Sequence, residues 1–193
     1  MALDQSHSCQ NEHQPQPERT AAQVAGRVYR RGRVRIQPGD LLPPVTLHST
    51  GDRDVDLAAE AAVRHVIIYF YPGDREGMRY PELAGCTDEA CSFRDHLPTV
   101  HGLGAVVFGV SLQSPERQRR FVERELLSIE LLSDEQKMLV NALGIPLWVS
   151  QAGEEFVART TVVVAKGGRV AAVFEDVDVD GHVKAVIEVV RRL

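Results

Sequence analysis

The stretch "HVIIYFY", residues 65–71, constrains the fold more than any other part of the chain. After His65, six consecutive β-branched and aromatic residues leave no polar face, so the segment has to be covered on both sides. It is far too short for a membrane span, which takes roughly 20 apolar residues. A run of this length and composition reads as a strand in the middle of a sheet with helices on both faces.

The rest of the chain supplies such a sheet. "GDLLPPVTL" (39–47) reads as a turn followed by a short extended segment, because Pro43 and Pro44 exclude helix. A polar loop from Pro72 to Gly85 precedes a helix that starts near Cys86 and carries Ala90, Phe93 and Leu97 on one face. Pro98 is expected to kink or end that helix. "GAVVFGVSL" (104–112) is a second buried strand. Ser114 as N-cap and Pro115 at the first helical position open the next helix. "IELLSD" is extended, and "DEQKMLVNALG" is a short helix closed by Gly144. "RTTVVVAKGGRVAAVF" is a hairpin turning at Lys-Gly-Gly, and "DGHVKAVIEVVRRL" ends the chain as an amphipathic helix. Strands separated by helices require parallel crossovers, and the late hairpin adds antiparallel neighbours, giving a mixed α/β sheet.

Residues 1 to about 25 are rich in Gln, Glu, Ser, His and Pro and have little to bury, the composition of a disordered tail. His7, Cys9 and His13 within it are compatible with a metal site, although chance explains them more simply. Arg27, Arg30, Arg31, Arg33 and Arg35 follow as a basic arm, read as a solvated segment leading into the domain rather than a dock for an acidic partner. The boundaries are a tail over 1–35 and one domain over 36–193. A net charge of −5 over 193 residues argues against nucleic-acid binding. Three cysteines give no even disulfide framework, and no secretory or membrane-spanning segment is legible, so the expectation is a soluble cytoplasmic protein.

Two of those cysteines stand five apart in "GCTDEACSFRDHL" (85–97). Cys86 falls where loop becomes helix, among unpaired backbone N–H groups and the positive end of the helix dipole, a setting that favours a thiolate. A buried, inert cysteine is the plain alternative. On a helix, positions i and i+5 place their Cα atoms about 8.7 Å apart, beyond the ~7 Å reach of a disulfide. The pair meets only if the first turns unwind, which suits a thiol that reacts first and a partner that waits. Zinc would need two more ligands, and His96 and His101 are poorly placed to give them. Glu89, one turn into the helix, either holds an arginine in place or simply complements the helix dipole as an acid in the first turn. Arg94 sits about 12 Å along the axis from Cys86 and reads as a structural salt bridge.

At these residues the chain resembles the peroxiredoxins, specifically the peroxiredoxin Q or bacterioferritin comigratory protein group. The matching stretches are "GDLLPPVTL", "VIIYFYPGD", "GCTDEACSFRDHL", "FGVSLQSPERQRRF", "LLSDEQ" and "RTTVVVAKGGRV". The resemblance implies a thioredoxin-like fold and reduction of hydrogen peroxide and organic hydroperoxides without a cofactor. It makes Cys86 the peroxidatic and Cys91 the resolving cysteine, recycled by thioredoxin, in a monomer. It places Arg159 beside the peroxidatic sulfur. The family's Pro-x-x-x-Thr/Ser-x-x-Cys departs here: Arg79 and Leu83 occupy the first and second motif positions, and no Ser or Thr lies between Gly73 and Gly85. Thr87 is the hydroxyl adjacent to the sulfur and the candidate replacement, with the N–H groups of Gly85 and Cys86 as further donors. A peroxide-responsive sensor or binding module on the same fold is the competing function. A general disulfide reductase is disfavoured by the lack of CxxC.

Overall fold

The structure is a computed structural model that describes residues 28–29, 34–74, 84–150, 152–175, 179 and 181–193. His7, Cys9 and His13, and with them the tail, lie outside the described residues. The elements in chain order are β1 (Val28–Tyr29), β2 (Thr46–Ser49), β3 (Asp54–Asp56), α1 (Leu57–Val63), β4 (His65–Phe70), α2 (Ala84–Gly102), β5 (Ala105–Ser111), α3 (Pro115–Glu125), β6 (Glu130–Ser133), α4 (Met138–Leu143), β7 (Leu147–Val149), β8 (Glu155–Val157), β9 (Thr160–Val164), β10 (Val170–Glu175) and α5 (His182–Val190).

A seven-stranded sheet runs β10-β9-β4-β5-β6-β2-β3, and β1, β7 and β8 form a small second sheet. The apolar run is central as expected: β4 pairs parallel with β5 (Ile68↔Phe108) and antiparallel with β9 (Ile68↔Val162). Alternation along β4 then builds two cores. Val66, Ile68 and Phe70 face α1 and α4, packing on Leu57, Ala61, Leu139 and Leu143. Ile67, Tyr69 and Tyr71 face α2, α3 and α5, packing with Phe93, Phe121, Val186 and Cys86. This is the thioredoxin-like arrangement, a mixed sheet with helices on both faces.

Two local expectations need correction, and part of the fold was not expected. Pro98 does not end α2; the helix continues to Gly102. The missing N–H at Pro98 costs one bond to the Arg94 carbonyl, but Leu97 and Val100 on either side are buried in the core and hold the last turn. The helix after Asp134 begins only at Met138, because Lys137 adopts a left-handed φ of 58°. Asp134 instead caps it, accepting from Met138 N at 2.7 Å and Val140 N at 2.9 Å. Finally, β3–α1 and the small sheet were not legible. In the small sheet, two residues of the basic arm pair with β7 (Tyr29↔Trp148).

Ser114 caps α3, its hydroxyl accepting from Arg117 N at 3.4 Å. The β9–β10 hairpin turns through Gly167 and Gly168, both at positive φ, a conformation open to glycine at little cost. Among the described residues no helix is long and apolar enough to cross a membrane.

Candidate active site

The register of the sheet brings the site together. Phe70 at the end of β4 pairs with Thr160 at the start of β9, so the chain leaves β4 beside Arg159. The first turn of α2, which carries Cys86, sits at the same end. There Arg159 Nη2 donates to Cys86 Sγ at 3.0 Å and Nη1 donates to Glu89 Oε2 at 2.8 Å. Glu89 lies three residues past Cys86 and so shares its helix face. One guanidinium therefore bridges the sulfur and a buried carboxylate. Gly85 makes room for it: a Cβ there would meet Val179 Cγ2 at 3.1 Å and Arg159 Nη2 at 3.3 Å.

Cys86 is fully buried, and this revises the expectation of a thiol lowered by the helix terminus. Burial pushes the Cys86 thiol up, and the Glu89 carboxylate adds to that. Arg159 and a backbone hydrogen bond from Gly73 pull it down without cancelling the burial, so the net direction is upward. Gly73, at the exit of β4, is thus a contributor the sequence reading did not name. Burial likewise raises Glu89 to about 7 despite Arg159. His182, at the start of α5, is lowered to about 4 by burial and by Arg159. Its Nε2 lies 2.8 Å from Thr161 Oγ1 and 3.9 Å from Glu89 Oε1. Burial also pushes up the Tyr69 and Tyr71 phenols, which stay neutral beside the sulfur.

The remaining candidates are distributed as follows. Cys91 sits in α2 at 8% exposure and is disulfide-bonded; among the described residues Cys86 is a free thiol. Thr87 is buried, and its hydroxyl has no hydrogen-bond partner among the described residues. Arg94 pairs with Asp95 at 2.7 Å and donates to the Glu125 carbonyl at 2.9 Å, away from the sulfur. His96 Nδ1 lies 2.8 Å from the Ser92 carbonyl oxygen. Among the described residues no three His, Cys, Asp or Glu side chains gather as a metal site. Arg79 and Leu83 lie outside the described residues. Gly73 and His182 were missed from sequence. The Pro-Gly-Asp closing the longest apolar strand was the available signal for the first.

The sequence model of the AhpC/TSA family matches residues 38–173. The chain belongs to that family. Its relatives are peroxiredoxins of the Bcp or Q group, and this chain is one of them. It is 31% identical to peroxiredoxin Bcp of Escherichia coli (strain K12) over 149 residues, covering 76% of this chain and 90% of that one. Among solved structures it resembles peroxidoxin BcpB from Mycobacterium tuberculosis, with a TM-score of 0.70 at 26% identity over 82% of this chain and 98% of that one. It also resembles the Xanthomonas campestris bacterioferritin comigratory protein, whose structure was described for alkyl peroxide reduction. There the TM-score is 0.67 at 26% identity, covering 83% of this chain and 98% of that one.

Proposed function

We propose that the protein is a thiol peroxidase that reduces hydrogen peroxide and organic hydroperoxides through Cys86, resolves through Cys91 and is recycled by thioredoxin in the cytoplasm. The observation that carries this reading is the Arg159 guanidinium 3.0 Å from Cys86 Sγ. A fixed cation there stabilises the thiolate and the charge that moves onto the departing oxygen, and it never deprotonates.

The steps balance without a cofactor. The Cys86 thiolate attacks one peroxide oxygen, an S–O bond forms as the O–O bond breaks, and the alkoxide or hydroxide leaves and takes a proton. The unpartnered Thr87 hydroxyl is the candidate donor to the peroxide. Unwinding of the first turns of α2 then lets the Cys91 thiolate attack the Cys86 sulfenic acid, forming S–S and releasing water. One chain suffices, which fits a monomer.

One equivalent of peroxide added to reduced protein is expected to give an intramolecular Cys86–Cys91 disulfide, read by peptide mass spectrometry. Cys91 left as a free thiol rules out this resolution step. A peroxide-responsive sensor is the second reading, favoured by the burial that holds the Cys86 thiol above its ordinary value. Steady-state NADPH consumption with thioredoxin and thioredoxin reductase separates the two: sustained turnover means peroxidase, and a single oxidation event means sensor.

A further inference from the structure

We propose that Cys86 and Glu89 share one proton across Arg159, and that the peroxide-reactive form is the Cys86 thiolate beside a protonated Glu89. The proposal rests on Cys86 being the reactive sulfur.

One guanidinium serves two buried acids. Arg159 Nη2 donates to Cys86 Sγ at 3.0 Å, and Nη1 donates to Glu89 Oε2 at 2.8 Å. Both acids are buried. Glu89 Oε1 has no hydrogen-bond partner among the described residues. His182 Nε2 faces it at 3.9 Å and is itself 2.8 Å from Thr161 Oγ1. Burial and Arg159 keep that imidazole uncharged at neutral pH, so it adds no second cation. Tyr69 and Tyr71, which pack with Cys86 from β4, stay neutral as well. Arg159 is thus one positive charge set against two potential anions.

Charge decides how many of them ionise. A buried anion is tolerated when a cation is at hydrogen-bond distance, whereas a second anion on the same cation is disfavoured by burial and by like charge together. Thiol with carboxylate and thiolate with acid each balance Arg159; the double anion does not. The two ionisations are therefore coupled. Burial raises both acids, Glu89 to about 7, and the Glu89 carboxylate is a further cause of the rise at Cys86. Glu89 ionises first, and thiol with carboxylate is the resting form. Its exchange partner, thiolate with acid, carries the proton on Glu89 Oε1, because Oε2 is taken by the Arg159 N–H. Arg159 does not relay the proton, since it never deprotonates.

The reaction then keeps Arg159 paired at every stage. The thiolate takes one peroxide oxygen and becomes a neutral sulfenic acid. The departing oxygen gains a proton and Glu89 gives one up, so protons and charge balance. The anion on Arg159 is sulfur before the reaction and carboxylate after it. The oxidised sulfur has lost its charged hold on Arg159 when the first turns of α2 unwind.

The test is the pH dependence of Cys86 alkylation by iodoacetamide in the full-length, dithiothreitol-reduced chain, read by peptide mass spectrometry, for wild type and Glu89→Gln. The amide oxygen of the variant still accepts from Arg159 but carries no charge. Wild type is expected to alkylate in two steps: a minor one near pH 7, where Glu89 ionises, and a main one at higher pH. Glu89→Gln is expected to show one step, about one pH unit below the wild-type main step. A carboxylate that only holds Arg159 in place predicts an unmoved midpoint in Glu89→Gln, and that result, or an upward shift, overturns the proposal. If Glu89→Gln does not fold, the wild-type profile decides, and a single step overturns the shared proton. Wild type that shows both steps yet consumes no peroxide defeats the proposed function and leaves the shared proton standing.

Discussion

Replacing Arg159 with Met removes the charge while keeping a long side chain in the slot beside Gly85. The lost contact is a donor 3.0 Å from a sulfur with no solvent exposure. A charge-assisted hydrogen bond of this kind is worth about 1.5–3 kcal/mol, and about 1.36 kcal/mol corresponds to one pKa unit. The Cys86 thiol is therefore expected to rise by roughly one to two units. At neutral pH the thiolate population falls about 10- to 100-fold. Adding the loss of stabilisation for the departing oxygen brings the drop in kcat/KM for peroxide to roughly 10²–10³-fold. Stability complicates the reading, because the variant also strips Glu89 of its partner. Glu89 is already raised to about 7, and without Arg159 it rises further and simply stays protonated. The double variant Arg159→Met/Glu89→Gln removes that complication, and it should melt near wild type while staying catalytically poor. Arg159→Lys is expected to rescue little, since an ammonium cannot donate to sulfur and carboxylate in the same fork geometry. The assays are the alkylation midpoint of Cys86 and single-turnover peroxide consumption. A Cys86 midpoint unchanged in Arg159→Met refutes the assignment of the guanidinium as the thiolate's partner.

Gly85→Ala places a Cβ 3.3 Å from Arg159 Nη2; a displacement of a few tenths of an ångström is expected to cost up to about tenfold in kcat/KM with little change in the melt, and an unchanged kcat/KM argues against tight placement. Thr87→Val removes a buried, unpartnered hydroxyl; at least a tenfold loss in kcat/KM is expected if it serves the peroxide, and unchanged turnover eliminates it. Glu89 and His182 make opposite contributions to stability against pH. Glu89, raised from ~4.3 unfolded to about 7, costs stability as pH rises through that window, because only the unfolded chain has lost the proton. His182, lowered from ~6.5 unfolded to about 4, adds stability as pH rises over its window. The two oppose each other between about pH 4.5 and 6.5. Thermal melts should show Glu89→Gln gaining stability with pH there and His182→Gln losing it; parallel slopes in the two variants refute the linkage.

Much of the architecture was legible because it is local. The β4 run, the Ser114–Pro115 helix start and the Gly-Gly hairpin each carry their own signal within a few residues. α1 was missed although Asp56 caps it, accepting from Ala58 and Ala59 N; seven residues rich in Ala make a weak periodic pattern. The strands of the small sheet are two or three residues long, and only their pairing defines them. At the site, Cys86, Glu89 and Arg159 were named from sequence and come together in space. Gly73 and His182 act through partners up to 93 positions distant, which no local pattern encodes. The thiol's direction of shift was misjudged for the same reason. A helix start is visible in sequence, whereas the depth at which it is buried depends on helices from three parts of the chain.

The placement of the guanidinium depends on one register. Counting along β9, Thr161 and Val163 face the α2 and α5 side, where Thr161 reaches His182 and Val163 joins the core with Cys86; Val162 and Val164 face α1 and α4. Arg159 shares the odd parity and so emerges on the sulfur's side. Side chains alternate with a period of two, so a one-residue slip between β4 and β9 sends Arg159 to the opposite face and exposes Cys86 to burial with no cation. Such a slip also drives Thr161 into the apolar core around Ile68 and Phe108. The buried valines of β9 therefore select the pairing that supplies the charge: the packing that makes the thiol hard to ionise is the same packing that delivers the group able to ionise it.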